Sequence, residues 1–187
     1  MMKLLSSHRV QECIIACYYT DPTAFSSLTR AFETILPHNR DIVFLCIGID
    51  RSTGDAFGPL TGTFLTQYRI PNVWGNLQSP VHAGNLTEAL NQIGESPFIV
   101  AIDASLGPAN RLGYICLREG PLKPGSAVDK QLPPVGNLAV TMNVSLGGLA
   151  NYLLLQTASL NTVWQGARLV ARAIFLALYR RTKDGTL

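Results

Sequence analysis

Asp41–Gly62 reads DIVFLCIGIDRSTGDAFGPLTG, and its parts differ sharply in character. Ile42-Val43-Phe44-Leu45-Cys46-Ile47 is a continuous apolar run of strand length. Such a run suits a parallel strand covered on both faces. A polar, glycine-punctuated loop follows, Asp50-Arg51-Ser52-Thr53-Gly54-Asp55. The chain turns apolar again at Phe57 and Leu60, and a helix is expected from about Phe57 to Tyr68. In a parallel sheet, ligands lie beyond the carboxyl ends of the strands. Asp50, Arg51 and Asp55 fall there.

Outward from this block, strands and helices alternate. Asp21-Pro22-Thr23 starts a helix that runs to about Leu36, where Pro37 ends it. Val73-Trp74-Gly75 is a short strand, and Asn85 caps a helix to about Ile93. Phe98–Ile102 is a strand expected to end at Asp103. Leu112–Leu117 is a further strand, antiparallel because no helix separates it from the last. Gly120–Val135 is a long Pro/Gly-rich loop, of the kind that is functional or mobile. A strand over Asn137–Val144, a helix over about Leu149–Thr157 and a last helix over about Asn161–Arg181 complete the chain. Met1–Tyr19 is ambiguous, with Val10–Tyr19 fitting a short strand or a helix. The alternation gives a three-layer α/β/α sandwich with a mostly parallel twisted sheet, read as one domain over residues 1–187.

Composition bounds the function. Of 187 residues, 14% are charged and 47% hydrophobic, which suits a folded core rather than a disordered chain. A net charge of +3, with no long Lys/Arg run, argues against nucleic acid. The longest apolar stretch is broken by Arg168 and Arg172, a poor membrane span. The amino terminus lacks the apolar core of a signal peptide. Cys46 and Cys116 fall in strand-like runs as buried thiols. Cys13 and Cys17 form a CxxxC with no second pair, so zinc is disfavoured. Four reduced cysteines in a cytoplasmic protein are expected.

Asp55 and Asp103 are the central chemical candidates, since both follow apolar strands. Two carboxylates brought together cannot both ionise easily, so one keeps a proton. Such a pair can activate water and protonate a leaving group, or bind a divalent metal. Each could equally be a turn residue or a cap, Asp55 above all, since it lies just before a helix. Gly54, Gly58 and Gly62 suit close helix–sheet packing better than a phosphate cradle, because neither GxGxxG nor a Walker lysine is present. In the long loop Ser126 is a nucleophile candidate without GxSxG context, and Lys123 could orient a substrate or simply be solvated. His82 lies near a strand end, where a lone loop histidine is more often exposed than a ligand. Arg51 could bind a substrate carboxylate or carbonyl, or anchor its own loop.

The segment CIGIDRSTGDAFGPLTG, with VWGNLQSPVHAGNL, IVAIDASLG, KPGSAVDKQLPPVG and VTMNVSLGG, resembles the YyaC-type sporulation proteins of endospore-forming bacteria. The likeness covers roughly residues 40 to 150. It extends to the spore germination protease and to the hydrogenase maturation endopeptidases, and implies their fold. The essential acids of the germination protease, in PDALGP-like and IDAL-like motifs, correspond to Asp55 in GDAFGP and Asp103 in IDAS. Ser126 and the amides of the Lys123–Val128 loop would then hold a substrate carbonyl, with Arg51 and His82 as further substrate contacts. In the hydrogenase endopeptidases the equivalent acids, with a histidine, bind the nickel of the substrate. His82 is the candidate third ligand here, but its surroundings do not match that motif.

An HPGSG-like loop of the germination protease reads KPGSA here, so Lys123 replaces a histidine. An ammonium there favours ionised carboxylates and opposes a bound cation, so no cofactor is assigned. The resemblance thus implies an aspartate-dependent peptidase acting on a small protein or peptide, such as the small acid-soluble spore proteins, in the forespore or spore core. Its alternatives are a non-catalytic binding protein that keeps the fold and a metal-dependent processing endopeptidase. No nucleic-acid or membrane partner is implied. A homo-oligomer is open, because Trp164 and Phe175 of the last helix could pack on the sheet or face a partner subunit.

Overall fold

A computed structural model describes residues 13–124, 132–148 and 151–184. Six strands form one sheet: β1 (Ile15–Tyr18), β2 (Ile42–Cys46), β3 (Val73–Trp74), β4 (Phe98–Gly107), β5 (Tyr114–Glu119) and β6 (Leu138–Leu146). Their order is β1-β5-β6-β4-β2-β3. The β3, β2, β4 and β6 strands run parallel, whereas β5 is antiparallel to β6 and β1 antiparallel to β5. Helices α1 (Ala24–Ile35), α2 (Phe57–Gln67), α3 (Leu86–Ile93), α4 (Asn151–Gln156) and α5 (Leu160–Asp184) accompany the sheet. No helix among the described residues is long and apolar enough to cross a membrane.

The two faces are covered unequally. On one, α1, α2 and α5 enclose the main core, where Leu28, Phe32, Phe57 and Ile174 meet Phe44, Ile102, Ile115 and Val140. Val163, Ala167, Val170 and Ile174 of α5 recur at helical spacing and are all fully buried. Each large aliphatic in that stripe contributes about 1.5–3 kcal/mol. On the other face, Leu86 and Ala89 of α3 pack on Leu45, Ile47 and Ala101, together with Leu122 and Val135. This cover reaches β2, β4 and the start of β6. Burial consequently alternates along β5: Ile115 and Leu117 are buried while Tyr114, Cys116 and Arg118 are half-buried. The continuous apolar pattern of β2 and the alternating one of β5 thus have the same cause, the number of covered faces.

Two expectations are corrected, and the open reading of the amino-terminal stretch is resolved. The strand through Asp103 does not end there but continues to Gly107, because β6 keeps pairing with it across a bulge at Ser105/Leu106. The ambiguous amino-terminal stretch contains β1, paired with β5. Cys116 is not a buried thiol: it is disulfide-bonded to Cys13, with Cα atoms 5.9 Å apart. Ahead of the β1 ladder, the Ile14 N–H donates to the Leu117 carbonyl at 2.8 Å, which holds the chain just after Cys13 against β5. Cys17 and Cys46 are free and buried. In the long Gly120–Val135 segment, Leu122 and Val135 pair backbone to backbone at 2.9 Å in both directions.

Close packing rather than phosphate binding explains the glycines of α2. A Cβ on Gly58 would overlap the backbone of Ile47, and one on Gly62 the carbonyl of Gly75. The first turns of α2 therefore lie directly on the end of β2.

Candidate active site

The site forms where β2 stops and β4 continues. Cys46 lies opposite Ile102, and the Ile47 N–H donates to the Ile102 carbonyl at 2.7 Å. Beyond this level β4 keeps only β6 as a strand neighbour, and Asp103 is the first residue there. Gly48 leaves β2 with φ of 140°, a conformation that favours glycine, and a Cβ there would overlap the Asp55 carbonyl. The Ile49 N–H donates to that carbonyl at 3.2 Å, closing the loop, so Asp55 returns to the strand end. The Gly54 N–H donates to the Leu155 carbonyl at 2.8 Å and ties the loop to α4. Asp55 is not the cap of α2; Ala56 holds that position, and no side chain caps the helix.

Asp103 is 8% exposed. Burial drives its carboxyl well above the usual range, and the charge of Asp55 drives it further, against a hydrogen bond from the Ala104 N–H. Asp55 is half-buried, and burial raises it too, while a hydrogen bond from Ile49 N–H and the nearby His82 lower it. The two acids are therefore within electrostatic reach and unequal. Asp103 holds the proton more firmly, and Asp55 is the readier to ionise.

His82 reaches this edge through a parallel bridge between Ile47 and Val81, with the Gly48 N–H donating to the Val81 carbonyl at 2.8 Å. Its Nδ1 accepts the Gly84 N–H at 3.0 Å, and the backbone N–H of His82 donates to Asn85 Oδ1 at 2.8 Å. With Nδ1 an acceptor, Nε2 is left as the ring's hydrogen-bond donor. Asp55, Asp103 and His82 thus share one neighbourhood. Among the described residues no group of three His, Cys, Asp or Glu is placed to hold a metal ion.

The other candidates are not drawn in. Arg51 is exposed and forms no ion pair among the described residues. Lys123 is exposed beside the Leu122–Val135 bridge, and its ammonium is not among the charges that perturb either carboxylate. Ser126 lies outside the described residues.

Four polar residues escaped the sequence reading. Asp103, Thr141, Cys116 and Ala16 are consecutive cross-strand neighbours, so their side chains share the less-covered face of the sheet. Ser105 and Asn143 form the next row, and the Ser105 hydroxyl donates to Asn143 Oδ1 at 2.5 Å. A cavity of about 370 Å³ opens on this face, lined by Arg111, Tyr114, Thr141, Asn143 and the disulfide. Alternation places Ser105 on the face of Asp103, but only the strand order brings Thr141 and Asn143 beside them. Ser52, inside the Asp50–Asp55 loop, is 6% exposed, and its hydroxyl has no partner among the described residues. Nothing in the sequence distinguishes it from an ordinary loop serine.

The unevenly covered, mostly parallel sheet with helices on both faces is an α/β fold of the kind seen in a hydrogenase maturation protease. The chain superimposes on a [NiFe] hydrogenase maturation protease, HycI, from Thermococcus kodakarensis KOD1 with a TM-score of 0.55 and 18% identity, over 80% of this chain and 99% of that one. A family model described as a protein of unknown function, DUF1256, matches residues 16–173, and the chain belongs to this family. The uncharacterized protein YyaC of Bacillus subtilis (strain 168) is 37% identical over 178 residues, which span 91% of this chain and 85% of that protein.

Proposed function

We infer that this protein is an aspartate-dependent peptidase of sporulating cells. Its substrates would be small proteins or their exposed segments, such as the small acid-soluble spore proteins, in the forespore or spore core. The observation that carries the reading is the placement of two acids at the carboxyl edge of the sheet, where Asp103 is 8% exposed and its carboxyl is pushed up by burial and by the charge of Asp55. That is the arrangement general acid–base hydrolysis requires.

Asp55 acts as the base. It takes a proton from water as the water oxygen attacks the peptide carbonyl carbon. Asp103 donates its proton to the carbonyl oxygen, where negative charge develops. Collapse of the tetrahedral species breaks the C–N bond. The proton taken by Asp55 passes to the departing nitrogen, and the hydroxyl proton returns to Asp103. His82, with Nε2 as a donor, sits where it can orient the attacking water. Arg51, Lys123 and Ser126 are assigned to substrate binding rather than chemistry.

A second reading, a binding protein that keeps the fold, is favoured by Lys123 where the peptidase loop would carry histidine. Incubation with purified small acid-soluble spore proteins, followed by mass spectrometry, separates the two. Cleavage by the wild type and none by Asp55→Asn is expected. Binding of these proteins without cleavage by the wild type would replace the peptidase with the binding protein.

A further inference from the structure

A second cavity lies at the opposite, amino edge of the sheet, remote from Asp55 and Asp103. It encloses about 560 Å³ between the start of β2 and the carboxyl ends of α2 and α5. That volume falls in the range of small-molecule sites. One wall is aromatic: Tyr68 lies 5.3 Å from Phe175, and Phe175 stacks on Tyr179 at 6.1 Å with an interplanar angle of 20°. The lining carries three guanidinium groups, Arg40, Arg69 and Arg181, with His38, against a single acid among the described residues, Asp41. Arg40 is already committed, since its guanidinium donates to the carbonyls of Ser96, Pro97 and Glu95.

Arg181 and Arg69 are differently placed. Arg181 Nη2 is fixed by the Pro37 carbonyl at 2.6 Å, while its Nη1 is buried with no partner among the described residues. A buried guanidinium N–H without an acceptor is costly unless something fills the space beside it. Arg69 is exposed, forms no ion pair among the described residues and has φ of 59°. The helix stop explains that angle. The Arg69 N–H donates to Thr66 at 2.9 Å and the Ile70 N–H to Leu65 at 3.0 Å, the paired bonds of a Schellman turn. Glycine fills this position without strain. An arginine there is accounted for by what its side chain reaches.

We propose that this cavity binds a mononucleotide, with the base against the Tyr68–Phe175–Tyr179 wall and the phosphate between Arg69 and Arg181. A planar ring suits stacked aromatic faces, and phosphate suits guanidinium groups that offer more than one donor. The site is independent of the peptidase reading.

Isothermal titration of the full-length protein with adenosine monophosphate, adenosine and inorganic phosphate tests it. The nucleotide is expected to bind in the submillimolar range. Adenosine and phosphate are each expected to bind at least about tenfold more weakly, because each lacks half of the contacts. Arg69→Gly provides the decisive variant, since glycine keeps the turn. It is expected to lose about tenfold in nucleotide affinity while melting at a higher temperature than the wild type. Phe175→Leu is expected to weaken the nucleotide and leave inorganic phosphate unchanged. No binding of the nucleotide at millimolar concentration, equal binding of nucleotide and phosphate, or undiminished affinity in Arg69→Gly would each overturn the proposal.

Discussion

Asp55 raises the proton affinity of Asp103, while Asp55 is itself relieved by the Ile49 N–H and by His82. The two acids thus differ because their surroundings differ: one lies in a strand under near-complete cover, the other in a loop beside a histidine. That asymmetry assigns base and acid in the proposed hydrolysis and fixes the direction of several measurable effects.

The first concerns stability. A carboxyl raised in the folded state favours folding fully below its unfolded value of about 3.9, and that contribution is lost as pH rises toward the folded value. Asp103 therefore weakens the fold at neutral pH. Asp103→Asn is expected to be inactive yet more stable than the wild type at pH 7 by at least about 1 kcal/mol, with the difference vanishing near pH 4. Urea denaturation at the two pH values checks this. Equal stability at both would mean that Asp103 is not perturbed.

His82 lowers Asp55 and so holds the base ionised. In His82→Ala, the acidic limb of the pH–rate profile is expected to move upward, leaving the alkaline limb, set by Asp103, nearly in place. A uniform loss of rate at every pH would instead assign His82 to substrate positioning.

Gly58 is where α2 meets the end of β2, since any Cβ would overlap the Ile47 backbone. Gly58→Ala is expected to cost about 2 kcal/mol or more and to distort the loop that carries Asp55. Thermal denaturation and cleavage activity should fall together. A variant that keeps both would show that α2 can move off the strand.

The disulfide joins Cys13 and Cys116 across 103 residues of sequence. Cys13→Ser is expected to lower stability by about 2–4 kcal/mol. Under native, non-reducing conditions neither Cys13 nor Cys116 should react with alkylating reagents. Cys17 should be slow as well, since burial pushes its thiol up to about 11. Rapid alkylation of Cys13 in the untreated protein would contradict the pairing.

These effects also show which features local pattern reveals. The Asp41–Gly62 stretch carried most of the fold because β2 is covered on both faces and reads as one apolar run, while Pro37 and the polar loop mark its limits. Asp55 and Asp103 were legible as strand-end acids, although β4 runs on past Asp103 under pairing with β6 that no local pattern reveals. The Cys13–Cys116 bond and the Thr141 and Asn143 neighbours were not legible. Each depends on the order β1-β5-β6-β4, and register between distant strands leaves no mark at short range. Asp55 was a plausible cap by its place before a helix, yet the loop closure through Ile49 and Gly48 turns it toward β4 instead.

The most direct test of the account titrates the two acids themselves. Carbon-13 NMR of the aspartate carboxyls, assigned with Asp55→Asn and Asp103→Asn, would follow each against pH. Asp103 is expected to titrate well above the usual aspartate range, above Asp55, and to fall when Asp55 is replaced by asparagine. Independent titration of both acids near the ordinary value, each unaffected by loss of the other, would contradict the unequal pair and the hydrolytic role built on it.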